Sequence, residues 1–175
     1  MTKVQKLPSE LIDQIAAGEV IDRPASIVKE LIENSLDAKS TKIEIKILRG
    51  GHELIHVTDN GSGINKDDLR LAFTRHATSK IKKIDDLNNI FTLGFRGEAL
   101  PSIASISKIT ATSSAEDSIG YKIEIHGSKE IMYEPIAANK GSTFKVRQLF
   151  YNTPARRKFL KKPENEQKSI NKVIR

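Results

Sequence analysis

Glu30, Glu33, Asn34 and Asp37 stand at i, i+3, i+4 and i+7 in the run Glu30-Leu31-Ile32-Glu33-Asn34-Ser35-Leu36-Asp37. On a helix turning about 100° per residue these positions form one stripe. Three carboxylates beside one carboxamide repel one another, so helix propensity does not explain the grouping. A hydrated divalent cation wants oxygen ligands, and a water to be activated wants a base; the stripe offers both. The competing reading is an ordinary solvated acidic face. Ile27, Val28, Leu31, Ile32 and Leu36 are expected to cover the core-facing side of the same helix.

Three further groups carry possible chemistry. Asp59-Asn60-Gly61-Ser62-Gly63-Ile64 reads either as a plain turn or as a carboxylate at a strand end with glycines that admit a planar ligand. A buried Asp accepting from an exocyclic amine would select adenine over guanine. Leu93-Gly94-Phe95-Arg96-Gly97-Glu98-Ala99-Leu100 is a glycine-bracketed loop opening a helix. That is either an anion site built from backbone amides or a tight turn; no G-x-x-x-x-G-K-[ST] is present. Gly141-Ser142-Thr143 brings hydroxyls to the start of a strand, within reach of a phosphate or of Asp59. Arg156, Arg157, Lys158, Lys161 and Lys162 form the densest basic cluster, with Phe159 and Leu160 suggesting one buried and one basic side. They are a candidate phosphate-backbone contact. His52 and His56 share a strand face but lack a third ligand for a metal.

The elements that must position these groups follow from periodicity. Leu11, Ile12, Ile15 and Ala16 predict a first helix ending at Gly18, and Pro24 suits the first turn of the acidic-striped helix. Residues 42–48 and 53–58 alternate as strands joined through Gly50-Gly51, an antiparallel hairpin. Short helices are expected over 67–73 and 85–91, and a further helix over 98–106, with Pro101 tolerated in its first turn. The stretch 74–83 is polar and weakly patterned. Strands are expected over 108–113, 121–126 and 143–149, with a further one over 130–134, and a terminal helix over 163–175. The order predicts an α/β (α+β) two-layer sandwich: a mixed, mostly antiparallel sheet with helices packed on one face.

The 175 residues suit a single domain with a substantial core. The absence of cysteine excludes disulfides, thiolate metal sites and a cysteine nucleophile. With 29 basic and 22 acidic residues the net charge is +7, compatible with polyanionic partners such as nucleotides or DNA. Neither a signal core nor a membrane-spanning apolar run is visible, so a cytoplasmic protein with no membrane partner is expected.

The order and spacing of Glu30-x-x-x-Asn34-x-x-Asp37, Asp59-x-Gly61-x-Gly63 and Gly94-Phe95-Arg96-Gly97-Glu98-Ala99-Leu100 resemble the Bergerat-type ATPases. That group contains DNA gyrase, the ninety-kilodalton chaperone, sensor histidine kinases and the MutL mismatch-repair proteins. Residues 15–21, Arg23-Pro24-Ala25, Ala77-Thr78-Ser79-Lys80 and Phe150-Tyr151-Asn152-Thr153-Pro154-Ala155-Arg156-Arg157 resemble the MutL branch.

The resemblance implies the Bergerat ATP-binding fold and roles for its residues. Glu30 is the general base, Asn34 holds Mg²⁺, and Asp59 receives the adenine amine, partly through water, with Gly63 beside the ring and Gly61 in the same cofactor-binding loop. Thr143 supports Asp59 and its water. Thr78, Ser79 and Lys80 with the Gly94, Phe95, Arg96, Gly97, Glu98, Ala99 and Leu100 loop form a phosphate-holding lid over about 74–100. Glu33 and Asp37 are structural or functional. Residues 1–175 are then a single N-terminal ATPase domain ending before a second, transducer domain that supplies a lysine to the γ-phosphate. The implied function is an ATP-binding, slowly hydrolysing switch with ATP and Mg²⁺ as cofactors. It would undergo ATP-dependent homodimerisation and contact DNA at low specificity, through Arg156, Arg157 and Lys158. Its protein partners would be mismatch-recognition and downstream repair proteins. The alternatives are a nucleotide-gated binding module without significant turnover, and another Bergerat-type ATPase such as a topoisomerase.

Overall fold

The computed structural model describes residues 3–78, 97–116 and 118–175. The chain order is α1 (Ser9–Val20), α2 (Pro24–Asp37), β1 (Ile43–Leu48), a 3-10 turn (Arg49–Gly51), β2 (Leu54–Asp59), α3 (Lys66–Leu71), α4 (Ala99–Ser105), β3 (Lys108–Ser114), β4 (Gly120–His126), β5 (Lys129–Ile136), β6 (Gly141–Arg147), α5 (Pro154–Phe159) and α6 (Pro163–Ile174). The helix expected over 85–91 lies outside the described residues.

The strands form one six-stranded sheet in the order β1-β2-β6-β3-β4-β5. Every pairing among the described residues is antiparallel, so the expected mixed character is absent. The last strand in sequence, β6, inserts between β2 and β3. Side chains alternate across the sheet, and the register aligns them into cross-strand rows. One inner-face row is Ile47, Ile55, Val146, Ile109 and Ile125; the next is Ile45, Val57, Phe144, Ala111, Ile123 and Tyr133. Against these rows lie the buried Ile27, Val28 and Leu31 of α2, Leu69 of α3, Ile103 and Ala104 of α4, and Ile170 of α6. On the opposite face the side chains of β1, β2 and β3 are partly or fully exposed, apart from Ser114 at the end of β3. Helices on one face and an open second face are therefore the architecture.

Several elements differ from the periodic reading. Helix α1 runs through Gly18 to Val20, and the Arg156 guanidinium occupies the space a Cβ on Gly18 would take, 1.2 Å from Arg156 Nη2. A mid-helix glycine costs about 1 kcal/mol against alanine, and here it admits a side chain from a distant helix. Leu11, Ile12 and Ile15 are 41–50 % exposed, so the apolar stripe of α1 is not core; Ala17 and Ile21 are. Leu36, expected in the core, is 49 % exposed. Periodicity does not predict the short α5 as a separate helix; Phe159 on it is 86 % exposed, and none of its residues is buried. The hairpin glycines serve more than the turn. Gly50 has φ 62°, and a Cβ there would fall 2.2 Å from the Pro163 carbonyl oxygen, because α6 begins against this turn.

Candidate nucleotide site at the end of the sheet

The third inner-face row breaks the apolar pattern: Ile43, Asp59, Ser142, Ser113 and Tyr121 lie side by side. Asp59, Ser142 and Ser113 are 7 %, 6 % and 1 % exposed. Three polar side chains buried together at a sheet end require partners, and they have them. Asp59 Oδ1 accepts from the Gly61 amide at 2.9 Å, and Oδ2 lies 2.9 Å from the Ser35 hydroxyl. Ser35 is buried on α2 and is also 3.0 Å from the Leu31 carbonyl, so two acceptors share its single proton. The Ser113 hydroxyl accepts from the Ile64 amide at 2.8 Å and lies 3.0 Å from the Gly141 carbonyl and 2.8 Å from the Ser142 hydroxyl. An ionised carboxylate has about four acceptor positions. Asp59 is thus fixed in orientation with acceptor capacity remaining.

The loop after β2 is shaped by its own sequence. Asn60 Oδ1 accepts from the Thr41 and Lys42 amides, both at 2.9 Å, which binds the loop to the chain entering β1. Gly63 has φ +69°, and a Cβ there would sit 1.9 Å from the Ser114 carbonyl oxygen. A Cβ on Gly61 would meet Ser40 Oγ at 2.6 Å and the Ala38 carbonyl at 2.7 Å. The protein's own packing thus demands both glycines.

Helix α2 begins at Pro24 in its first turn, as the sequence indicates. It brings Glu30 and Asn34, one turn apart and both partly exposed, onto the helix whose Ser35 holds Asp59. Glu33 is paired with Lys29 at 3.7 Å, an i,i+4 surface contact.

The expectation that Thr143 supports Asp59 is corrected. Strand alternation sends Thr143 to the open face, where its hydroxyl lies 3.2 Å from that of Thr58. Ser142 stands in register with Asp59 and shares its buried row. The Gly141-Ser142-Thr143 triplet does not by itself tell which hydroxyl faces Asp59, because parity along a strand is invisible until a neighbour fixes it. An open recess of about 320 Å³ lies at this end of the sheet, lined by Asp59, Asn60 and Ser142 together with Lys42, Thr58 and Thr143 among others.

Ser79, Lys80, Gly94, Phe95 and Arg96 lie outside the described residues. The residues bounding them are held together. Gly97 has φ +65°, and a Cβ there would lie 2.4 Å from the Ala77 carbonyl oxygen. Glu98 accepts from Arg75 at 3.0 Å and lies 2.9 Å from His76 Nδ1, while Arg75 donates to Asp13 of α1 at 2.7 Å. No local pattern marks Arg75 and Asp13; only the contact between α1 and α4 brings them to Glu98. Ala99 and Leu100 form the first turn of α4, and Leu100 packs against the core. Thr78 is partly exposed.

The basic cluster divides. Arg156 is turned inward, its Nη1 donating to the Ile21 carbonyl at 3.3 Å beside Gly18. It is occupied with α1, whereas Arg157 and Lys158 are exposed. No group of three or more His, Cys, Asp or Glu that could hold a metal exists among the described residues. Among them, no helix is long and apolar enough to cross a membrane.

Residues 22–146 match the family model described as histidine kinase-, DNA gyrase B-, and HSP90-like ATPase. The chain is 53 % identical over 175 residues to the DNA mismatch repair protein MutL of Acidobacterium capsulatum, covering 99 % of this chain and 26 % of that protein. It is 55 % identical to the MutL of Serratia proteamaculans, covering 98 % of this chain and 28 % of that one. It thus spans about a quarter of the length of these relatives. Among solved structures, the Aquifex aeolicus MutL ATPase domain complexed with ADP superposes with a TM-score of 0.68 at 35 % identity. That match covers 89 % of this chain and 54 % of the other. The N-terminal domain of a DNA repair protein gives a TM-score of 0.77 at 33 % identity, covering 93 % and 47 %.

Proposed function

We propose that this chain, which belongs to the histidine kinase-, DNA gyrase B- and HSP90-like ATPase family and is of the MutL type, binds ATP at the polar end of its sheet and hydrolyses it slowly as a mismatch-repair switch. The observation that carries the reading is Asp59: a buried carboxylate at a strand end, oriented from both sides and joined through Ser35 to the helix that bears Glu30 and Asn34. Asp59 accepts the adenine amine, and the Gly61–Gly63 loop sets the edge of the base pocket. Ser142 and Ser113 supply the neighbouring hydroxyls that hold a bridging water.

Glu30 is the base that takes a proton from the attacking water. Asn34 offers the carboxamide oxygen for Mg²⁺, a hard cation that keeps several waters and needs only one or two protein oxygens. The donor chemistry of α2 fits that demand. When bound, the ion neutralises charge developing on the phosphates. The Arg75–Glu98–Asp13 contacts hold the start of α4 close to residues 75–77. Nucleotide occupancy would drive homodimerisation and signal to mismatch-recognition and downstream repair proteins in the cytoplasm. DNA contact of low specificity is part of this reading, with Arg157 and Lys158 as candidates on α5.

Calorimetry with ATP and Mg²⁺ tests the site. Glu30→Ala should retain nucleotide and lose hydrolysis; loss of binding would make Glu30 structural. A second reading is a nucleotide-gated module with no meaningful turnover. Phosphate release measured at saturating ATP and Mg²⁺ separates the two.

A further inference from the structure

The open face of the sheet carries a concentration of positive charge that the nucleotide site does not use. Register places Lys46, His56 and Lys145 in one cross-strand row, and Arg147 directly opposite Lys108 in the next. Lysines or arginines directly opposite one another weaken a sheet, so sheet stability does not account for the pattern. Among the described residues none of these four cations has an ion-pair partner. Of the acidic groups on this face, Glu44 is paired with Lys42 at 2.6 Å and Glu124 with His126 at 2.8 Å, while Glu134 lies out on β5 opposite Lys122. Lys108 also lies 5.2 Å from the centre of the Tyr151 ring, which fixes one end of the patch. His56 reports the local field. Its imidazole is held below the usual range first by burial, then by Lys145, Lys46 and Arg147, against a smaller opposite pull from Glu44.

We infer that this face, through Lys46, Lys108, Lys145 and Arg147, docks the phosphate backbone of duplex DNA. The inference rests on the DNA contact of the proposed function and moves its centre from α5 to the sheet. Two features favour phosphates over an acidic protein. Lysine is depleted at protein–protein interfaces, whose energy comes from aromatic and apolar anchors, and here Leu54 and Leu48, in the Arg147 row, are the aliphatic residues beside the cations. With about 4.8 Å between strands and about 6.7 Å between alternate residues of one strand, Lys108, Arg147 and Lys145 are close neighbours and Lys46 stands two strands from Lys145. That array tolerates many registers of a backbone bearing one charge per roughly 1.7 Å of axis. Such contacts position without reading sequence.

The test is fluorescence anisotropy of a labelled duplex of arbitrary sequence with this chain, titrated with salt. Four phosphate contacts give a slope of log affinity against log salt of about −3.6. Lys145→Gln with Arg147→Gln should flatten the slope by about 1.8 and weaken binding about tenfold or more at low salt, whereas Lys145→Arg with Arg147→Lys should bind as the parent does. Nuclear magnetic resonance should show the His56 titration moving up when duplex is added, since phosphates offset the surrounding cations. If the Gln pair melts like the parent and binds DNA unchanged, while Arg157→Gln with Lys158→Gln carries the loss, the sheet-face site is overturned and DNA contact at α5 stands. If the parent chain binds no duplex at low salt, or binds polyglutamate in its place, the DNA reading and this site fall together.

Discussion

The Ser35 hydroxyl lies 2.9 Å from Asp59 Oδ2, joining α2 to the last residue of β2 across 24 positions of sequence. Through this contact the helix bearing the proposed base and metal ligand is keyed to the carboxylate proposed to read adenine. Ser35→Ala leaves Oδ2 of a nearly buried carboxylate without its hydroxyl partner. The expected loss is about 1–3 kcal/mol, seen as a lower denaturation midpoint in urea. ATP affinity, measured by calorimetry, should fall in parallel as Asp59 loses its orientation.

Asp59→Asn replaces an acceptor by a group that presents a donor to the same position. A hydrogen bond to a charged group contributes about 1.5–3 kcal/mol, so ATP binding should weaken by roughly 10- to 150-fold with little change in secondary structure. Unchanged ATP affinity in a folded Asp59→Asn protein would remove the adenine assignment.

Gly63 tolerates no side chain. The left-handed conformation alone costs a non-glycine residue roughly 1–2 kcal/mol, and the Cβ would also collide with the Ser114 carbonyl. Gly63→Ala should therefore lower the melting temperature more than Ser35→Ala does, and nucleotide binding should fall with it.

Arg75 stands between two carboxylates, Asp13 and Glu98, each with a side chain less than a third exposed. Arg75→Ala leaves those carboxylates without their common cation. The cost should be about 1 kcal/mol at low ionic strength, and smaller in high salt because screening weakens both the attraction and the repulsion. Melting curves at two salt concentrations, compared with Asp13→Asn and the double variant, isolate the coupling.

His56 gives a pH dependence whose sign is fixed by its surroundings. Burial and then Lys145, Lys46 and Arg147 depress its folded-state value below the ordinary imidazole value of 6.5. The unfolded chain therefore binds a proton more readily than the folded one. The stabilising contribution is complete above about pH 6.5 and is lost as pH falls through the depressed value. His56→Gln should remove this component, so the difference in stability between the two proteins should vary with pH only in that interval.

Much of the architecture was legible in the sequence because it rests on local period. The acidic stripe of α2, the hairpin at Gly50-Gly51, the strands of β3 to β6 and the terminal α6 are set by alternation, helical spacing and the placement of glycine and proline. The order and spacing of Glu30, Asn34, Asp59, Gly61 and Gly63 carried the resemblance to the ATPase family that the chain belongs to. What local pattern does not contain is which side of an element faces which neighbour. Tertiary packing sent Thr143 to the open face and Ser142 to Asp59, since one residue of parity exchanges the two faces of a strand. It turned Arg156 from a surface cation into a partner of α1, carrying that helix through Gly18. It left Leu36 and Phe159 exposed, and it gathered Lys46, Lys108, Lys145 and Arg147, from three strands, onto one face. Sequence fixes the elements and their chemical alphabet through interactions a few residues long; contacts between residues tens of positions apart arise only when the sheet closes around β6.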